Sequence, residues 1–239
     1  MDIIKLSNVS KNYKSIKALD SVSINVKSGE LFGLLGVNGA GKTTLIKILS
    51  GLTKKSSGKV EIDSFDLDEN IDKIKEIINI SPQETSVALN LTVKENLEFF
   101  ANIYNKNNPN HIENIVNVFN LEEVLNQRAK TLSGGYKRRL SIAIALISEP
   151  KVLFLDEPTL GLDVFARREL WKIINKLKEK VTIILTSHYL EEIENLCDRI
   201  AILSKGKLLT VGTVDEIKQS VNATTFEDAF IKVVECANE

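Results

Sequence analysis

Hydrophobic and polar positions change rhythm along this chain, and the changes divide it. Leu19, Val22, Ile24 and Val26 sit among polar residues in near-alternation, which predicts a strand with one wet face. Residues 31–35, LFGLL, form a short apolar run that predicts a strand buried on both faces. A helical pattern starts at Lys42, with Gly51 placed to end it, and residues 59–62 and 77–80 read as further strands. The period then shifts. Thr92 and Glu95 make a capping box ahead of Leu97, Phe99, Phe100 and Ile103. From about residue 92 to residue 149 the pattern is helical only, broken at Asn107-Asn108-Pro109. Strand and helix alternate again through residues 152–155, 165–177, 181–185, 190–196 and 200–203. Thr213 with Glu216, and Thr224 with Glu227, head two short C-terminal helices. Such alternation predicts an α/β core with a mostly parallel sheet covered by helices, and a helical lobe inserted into it. There is no internal repeat and no low-complexity tract.

Composition narrows the function. The 239 residues are 43% hydrophobic, enough for a sizeable core. Lys+Arg is 31 and Asp+Glu is 32, a net charge of -1, which argues against a non-specific nucleic-acid binder. Cys197 and Cys236 follow no metal or redox spacing and read as reduced thiols. The N-terminus has no basic head followed by a long apolar stretch, so no signal peptide is expected. The apolar-rich run 140–147 is far short of the ~20 residues of a spanning helix. The expectation is a soluble chain whose membrane role, if it has one, comes through a partner.

The candidate chemistry starts at GVNGAGKTT, Gly36 to Thr44, which fits G-x-x-x-x-G-K-[ST] between a buried strand and a helix. Gly36, Gly39 and Gly41 let the backbone amides of a loop that includes Asn38 and Ala40 turn toward one point. With the helix N-terminus they make a nest for phosphate oxygens. Lys42 would reach the β- and γ-phosphates, and the Thr43 hydroxyl, with Thr44 beside it, would meet Mg²⁺. KVLFLDEPT supplies the complement. Asp156 emerges at the carboxyl end of a buried strand, where ligands bind in open α/β sheets. It would orient Mg²⁺ through water. Glu157 follows directly, and two adjacent carboxylates need a cation or a proton to offset their repulsion. With Mg²⁺ accounting for Asp156, Glu157 is free to take a proton from an attacking water.

GVNGAGKTT, LSGGY, LFLDEPT, GLD and TSHY occur in an order that resembles the ATP-binding cassette (ABC) proteins, from Tyr13 to about Gly212. LSGG just before LFLDEP separates that family from other P-loop ATPases. The resemblance implies a P-loop NTPase (RecA-like) α/β core with a mostly parallel sheet, an N-terminal antiparallel β-subdomain and an inserted α-helical subdomain at about 86–149. The cassette would span 1–215, with a short helical extension over 216–239. It implies ATP and Mg²⁺ as ligands, and two ATP molecules sandwiched between two head-to-tail cassettes, identical or paralogous. Ser133, Gly134 and Gly135 would contact the ATP held by the opposite subunit. Tyr13 matches the aromatic that stacks on adenine. Gln83 matches the glutamine that reaches Mg²⁺ and links core to lobe. Gly161-Leu162-Asp163 matches the loop that crosses the dimer interface. His188 matches the histidine that contacts the γ-phosphate. His111 lacks such context and reads as surface.

Two positions depart from the pattern: Tyr136 stands where many members have glutamine, and Val37 where a small residue or proline is frequent. LSGGYKRRL and TSHYLEEIENLCDRIAI look most like ATPase subunits of ABC-2 type drug, antibiotic or lipid exporters. Lys137, Arg138 and Arg139 fit a solvated helix face equally well. The exporter resemblance implies a separate membrane-spanning permease and a place on the inner, cytoplasmic face of the cell membrane, with no nucleic-acid partner. The competing readings are an importer ATPase and a non-transport cassette of the repair or translation type. Those of repair insert a coiled coil or zinc module and those of translation carry two cassettes; neither feature stands in this sequence.

Overall fold

A computed structural model of the chain describes residues 1–178 and 180–237. It opens with a long hairpin, β1 (Asp2–Tyr13) and β2 (Ile16–Lys27), followed by β3 (Leu31–Leu35), α1 (Lys42–Leu49), β4 (Ser57–Ile62), β5 (Phe65–Asp66), α2 (Ile71–Ile77) and β6 (Ile78–Ser81). Then α3 (Val93–Ile103), α4 (Pro109–Val118) and α5 (Gly134–Ile147) build the lobe, which an isolated bridge from Thr92 to Arg128 ties at its base. The core resumes with β7 (Val152–Asp156), α6 (Val164–Leu177), β8 (Thr182–Ser187), α7 (Leu190–Leu196), β9 (Arg199–Ser204) and β10 (Lys207–Gly212). It ends in α8 (Val214–Ser220) and α9 (Phe226–Cys236).

Two sheets result. One is antiparallel, in the order β2-β1-β4-β5; the other runs β10-β9-β3-β8-β7-β6 and is parallel except for β10 against β9. All five residues of β3 and of β7 are buried. Leu31, Leu35, Leu153 and Leu155 pack into the core shared with α3, α5, α6 and α7. Phe32, Leu34, Val152 and Phe154 pack into a second core with α1 and the antiparallel sheet. A strand covered on both sides has no wet face to mark with polar residues, which is why these strands read as unbroken apolar runs. Register brings Leu35 opposite Ser187, Asp156 opposite Thr186 and Ser81 opposite Leu155. The carboxyl ends of four strands therefore meet along one edge.

Several sequence expectations shift in detail. Ile77 closes α2 instead of opening a strand. The last helix is capped by Thr225, whose hydroxyl accepts from Asp228 N at 3.1 Å, not by Thr224 with Glu227. Burial of Phe226 sets that phase, because it must face the core that Ile217 and Ala229 also enter. β1, α2 and β10 escaped the pattern. In β1 the alternation is broken by register shifts between Leu6 and Val9 and again on either side of Lys11. The capping box at Thr92 forms as expected, with Glu95 N 3.1 Å from Thr92 Oγ1 and Thr92 N 2.7 Å from Glu95 Oε2.

Candidate functional site

At the carboxyl edge of the sheet, residues 36–44 carry the chain from β3 into α1. Gly39 and Gly41 take φ of 80° and 105°, a region that favours glycine. A Cβ at Gly41 would stand 2.7 Å from Ala18 O, and one at Gly36 2.4 Å from Leu203 O, so these turns close tightly against β2 and β9. No side chain caps the start of α1. Its first amides are left for a ligand, and the helix dipole favours an anion there. Lys42 is only 5% exposed. Its Nζ donates to Gly36 O at 2.6 Å and Val37 O at 3.4 Å, and lies 3.9 Å from Glu157 Oε1. Burial lowers its pKa, while Glu157 and Asp156 pull the other way. The ammonium is folded onto the carbonyls of its own loop, a position that a phosphate anion would outcompete.

Asp156 is buried beneath the loop. Its Oδ1 accepts from Thr186 Oγ1 at 2.6 Å and from Thr43 Oγ1 at 3.4 Å. A hydroxyl and a carboxylate this close are hard oxygen donors suited to Mg²⁺, which takes few protein ligands and completes its shell from phosphate and water. Among the described residues no group of three or more His, Cys, Asp or Glu is placed to hold a metal. Glu157 has φ 47°, a left-handed conformation costing on the order of 1–2 kcal/mol for a residue with a Cβ. Thr186 holds it there, since Glu157 N donates to Thr186 Oγ1 at 2.9 Å and to Thr186 O at 3.2 Å. The twist turns the carboxylate between Lys42 and His188, whose Nδ1 lies 3.1 Å from Glu157 Oε2.

A cleft of about 810 Å³ collects these groups. Asn38 to Thr44, Gln83, Glu157 and His188 line it, and Tyr13 stands at its rim with Lys11 Nζ 4.7 Å from the ring centroid. Ser133, Gly134, Gly135 and Asp163 are elsewhere. Ser133 caps α5, accepting from Tyr136 N at 3.4 Å, and is exposed with Gly134. The two glycines differ. A Cβ at Gly135 would lie 3.0 Å from Ala166 Cβ, whereas at Gly134 the nearest atom would be Leu162 Cδ2 at 3.9 Å. Gly135 thus permits α5 to pack on α6, whereas a side chain at Gly134 would make only an ordinary contact with Leu162. Asp163 caps α6, its Oδ1 accepting from Phe165 N at 2.9 Å and Ala166 N at 3.0 Å.

The solvated-face reading of residues 137–139 fails at Arg138, which is buried and bound to backbone carbonyls around the site. Its place on the buried stripe of α5 with Gly135, Ile142 and Ala145 is a helical spacing that the sequence does contain. Thr186 was also missed, although it sits two residues before His188. Ile16, Lys17, Ala18 and Lys205 line the cleft too. They arrive from β2 and the β9–β10 turn, and nothing local in sequence marks them.

A family model described as ABC transporter matches residues 19–160. The chain is 39% identical over 241 residues to "Probable multidrug ABC transporter ATP-binding protein YbhF" of Escherichia coli (strain K12), covering 97% of this chain and 42% of that protein. The chain therefore spans less than half of that relative. It is 35% identical over 227 residues to "Linearmycin resistance ATP-binding protein LnrL" of Bacillus subtilis (strain 168), covering 93% of this chain and 73% of the relative. Among solved structures it is similar to a dimeric ATP-binding cassette in a post-hydrolysis state bound to ADP and Pi, with a TM-score of 0.77, 27% identity, and coverage of 88% of this chain and 98% of that one.

Proposed function

The chain belongs to the ABC transporter family, as an ATP-binding subunit with ATPase machinery, and on that premise we propose that it hydrolyses Mg-ATP between two head-to-tail cassettes and drives export through a separate membrane permease. One observation carries the two-cassette reading: the cleft gathers the phosphate loop, Gln83, Glu157 and His188, while Ser133 and Gly134 lie exposed on another element. A γ-phosphate held by the loop is gripped from one side only, and the uncapped face matches what the open turn at Gly134 offers.

The roles follow from that assembly. Loop amides from Gly36 to Thr44 bind the β- and γ-phosphates, and Lys42 leaves Gly36 O for them. Thr43, Asp156 and Gln83 would hold Mg²⁺, which would offset charge on the phosphate oxygens. Glu157 accepts a proton from the attacking water, and His188 fixes the carboxylate and faces the γ-phosphate. Tyr13 stacks on the adenine at the rim. Ser133 and Gly134 of the second cassette close the phosphate from the other side, and the turn at Gly161–Asp163 lies across the joint. The names of the multidrug and linearmycin-resistance relatives support export. No described helix is long and apolar enough to cross a membrane, and in this reading the permease supplies the transport path. The subunit then works at the inner face of the cell membrane.

Glu157→Gln tests the reading. It keeps size and hydrogen bonding but removes the base, so turnover should fall by about 10²–10⁴ while ATP binding persists. Size-exclusion chromatography with Mg-ATP should then show a dimer. Turnover near that of the parent would take Glu157 out of the role.

A further inference from the structure

Arg138 is a buried cation that the reaction above does not use. It lies one turn inside α5 and is 4% exposed. Its guanidinium spreads over three segments. Nε donates to Pro158 O at 2.8 Å, in the turn after Glu157. Nη2 donates to Asp156 O at 2.9 Å, at the end of β7. Nη1 donates to Pro82 O and lies 3.5 Å from Gln83 O, in the connection from β6 to α3. Burial pulls its pKa down to about 10, against the opposing pull of Asp156 and Glu192, so it stays charged at neutral pH. A planar fork of five N–H donors serves carbonyls in three fixed directions at once; an ammonium or a single amide does not. One turn further along α5, Ser141 Oγ lies 3.1 Å from Ser81 Oγ and joins the same helix to β6. The segment carrying Gln83 is therefore fastened to α5 at two successive turns, and Ser133 caps the start of that helix.

We propose that Arg138 is a positioning residue that couples the Gln83 segment to the Ser133–Gly135 turn, so that nucleotide entering one cassette's cleft sets the turn which that cassette presents to its partner. Arg138 touches no reacting atom. It acts by making the cleft's sensor and the far turn one rigid piece. The inference rests on the two-cassette reading and goes beyond it, since that reading requires the turn but not a link to it. In a dimer such a link connects the two ATP sites, because each cleft is completed by the other subunit's turn.

The test compares Arg138→Lys and Arg138→Gln with the parent protein. Circular dichroism establishes folding. ATP binding at protein concentrations too low for pairing should stay within about threefold of the parent. Steady-state hydrolysis should lose about tenfold or more in kcat, and the Hill coefficient for ATP should drop to about 1. Adding Gln83→Ala to Arg138→Lys should cost less than about twofold more, because both changes cut one connection. A purely structural arginine would lower stability and leave cooperativity and additivity untouched. A folded Arg138→Lys with the parent's kcat and Hill coefficient overturns the inference, as do losses that multiply in the double variant. If neither variant folds, hydrogen exchange on the dilute parent decides. ATP should slow exchange across residues 133–139 before any partner binds, and unchanged exchange there overturns the inference. A parent with no ATPase activity would instead sink the functional reading itself.

Discussion

Glu192, like Arg138, is a charged residue type in a place that only the folded chain explains. It is fully buried; Oε1 accepts from Trp171 Nε1 at 3.1 Å, and Oε2 has no hydrogen-bond partner among the described residues. Burial pushes its pKa up, opposed by the polar side chains of Ser187, Thr159 and Trp171 and by the charge of Arg167. The native state thus holds this proton more tightly than the unfolded chain does. Stability from this group falls as pH rises from the ordinary glutamate value of 4.5 toward the raised one. Glu192→Gln keeps an acceptor for Trp171 and stops the titration. Its Tm relative to the parent should rise with pH, starting above about pH 4.5. A difference that stays flat from acid to neutral pH would show that Glu192 does not titrate in this window. Residues like these were illegible beforehand because their roles depend on neighbours distant in sequence. Lys42, Asp156 and Glu157 could be singled out beforehand because a phosphate and metal site would call for them at short spacing beside glycines and a buried strand, and the fold brings them together.

At the level of elements, α5 holds two adjacent glycines with separate duties, and substitutions distinguish them. Gly135→Leu must force α5 away from Ala166, an overpacking that costs on the order of 1–3 kcal/mol. Thermal melting should register it, and nucleotide binding should weaken along with the fold. Gly134→Asp has room inside the subunit, and a carboxylate at the first turn of a helix is favourable. It should melt no lower than the parent and bind ATP, yet lose hydrolysis, because in the proposed pairing the charge would stand where the other cassette's phosphate comes. Unimpaired turnover in folded Gly134→Asp would contradict the two-cassette site. The sequence showed both glycines as one motif; only the packing of α6 against α5 separates them. Similarly, β3 and β7 were readable because burial on both faces leaves no polar position, while β1 was hidden by its own bulges. A one-residue slip at Thr225 was invisible because two threonines stand in line and the choice belongs to Phe226.

Over the whole molecule, the surface beside the open turn is apolar where a monomer gains nothing from it. Phe165 is 83% exposed, with Val164 and Leu160 also exposed, and all three flank the Gly161–Asp163 turn. Leu162 of that turn is what a side chain at Gly134 would first meet. The exposed apolar residues and the open turn at Gly134 therefore share one side of the subunit. Burying a phenylalanine this exposed is worth about 1.5–3 kcal/mol, roughly tenfold or more in pairing affinity. A single cassette that completes its own site would hydrolyse ATP at a rate per molecule independent of concentration. Two that complete each other must lose specific activity on dilution. Phe165→Asp should move that loss to a protein concentration about tenfold higher or more, with the rate recovering when protein is added. ATP binding to the dilute subunit should not change, since Phe165 does not line the cleft. Specific activity that is flat across dilution in the parent, or a Phe165→Asp defect that added protein does not repair, would place the pairing surface elsewhere. The distinction matters for transport. In the proposed transport role, a motor that closes only when both sites hold ATP would deliver one concerted movement to a permease, while independent cassettes would deliver two uncoordinated ones.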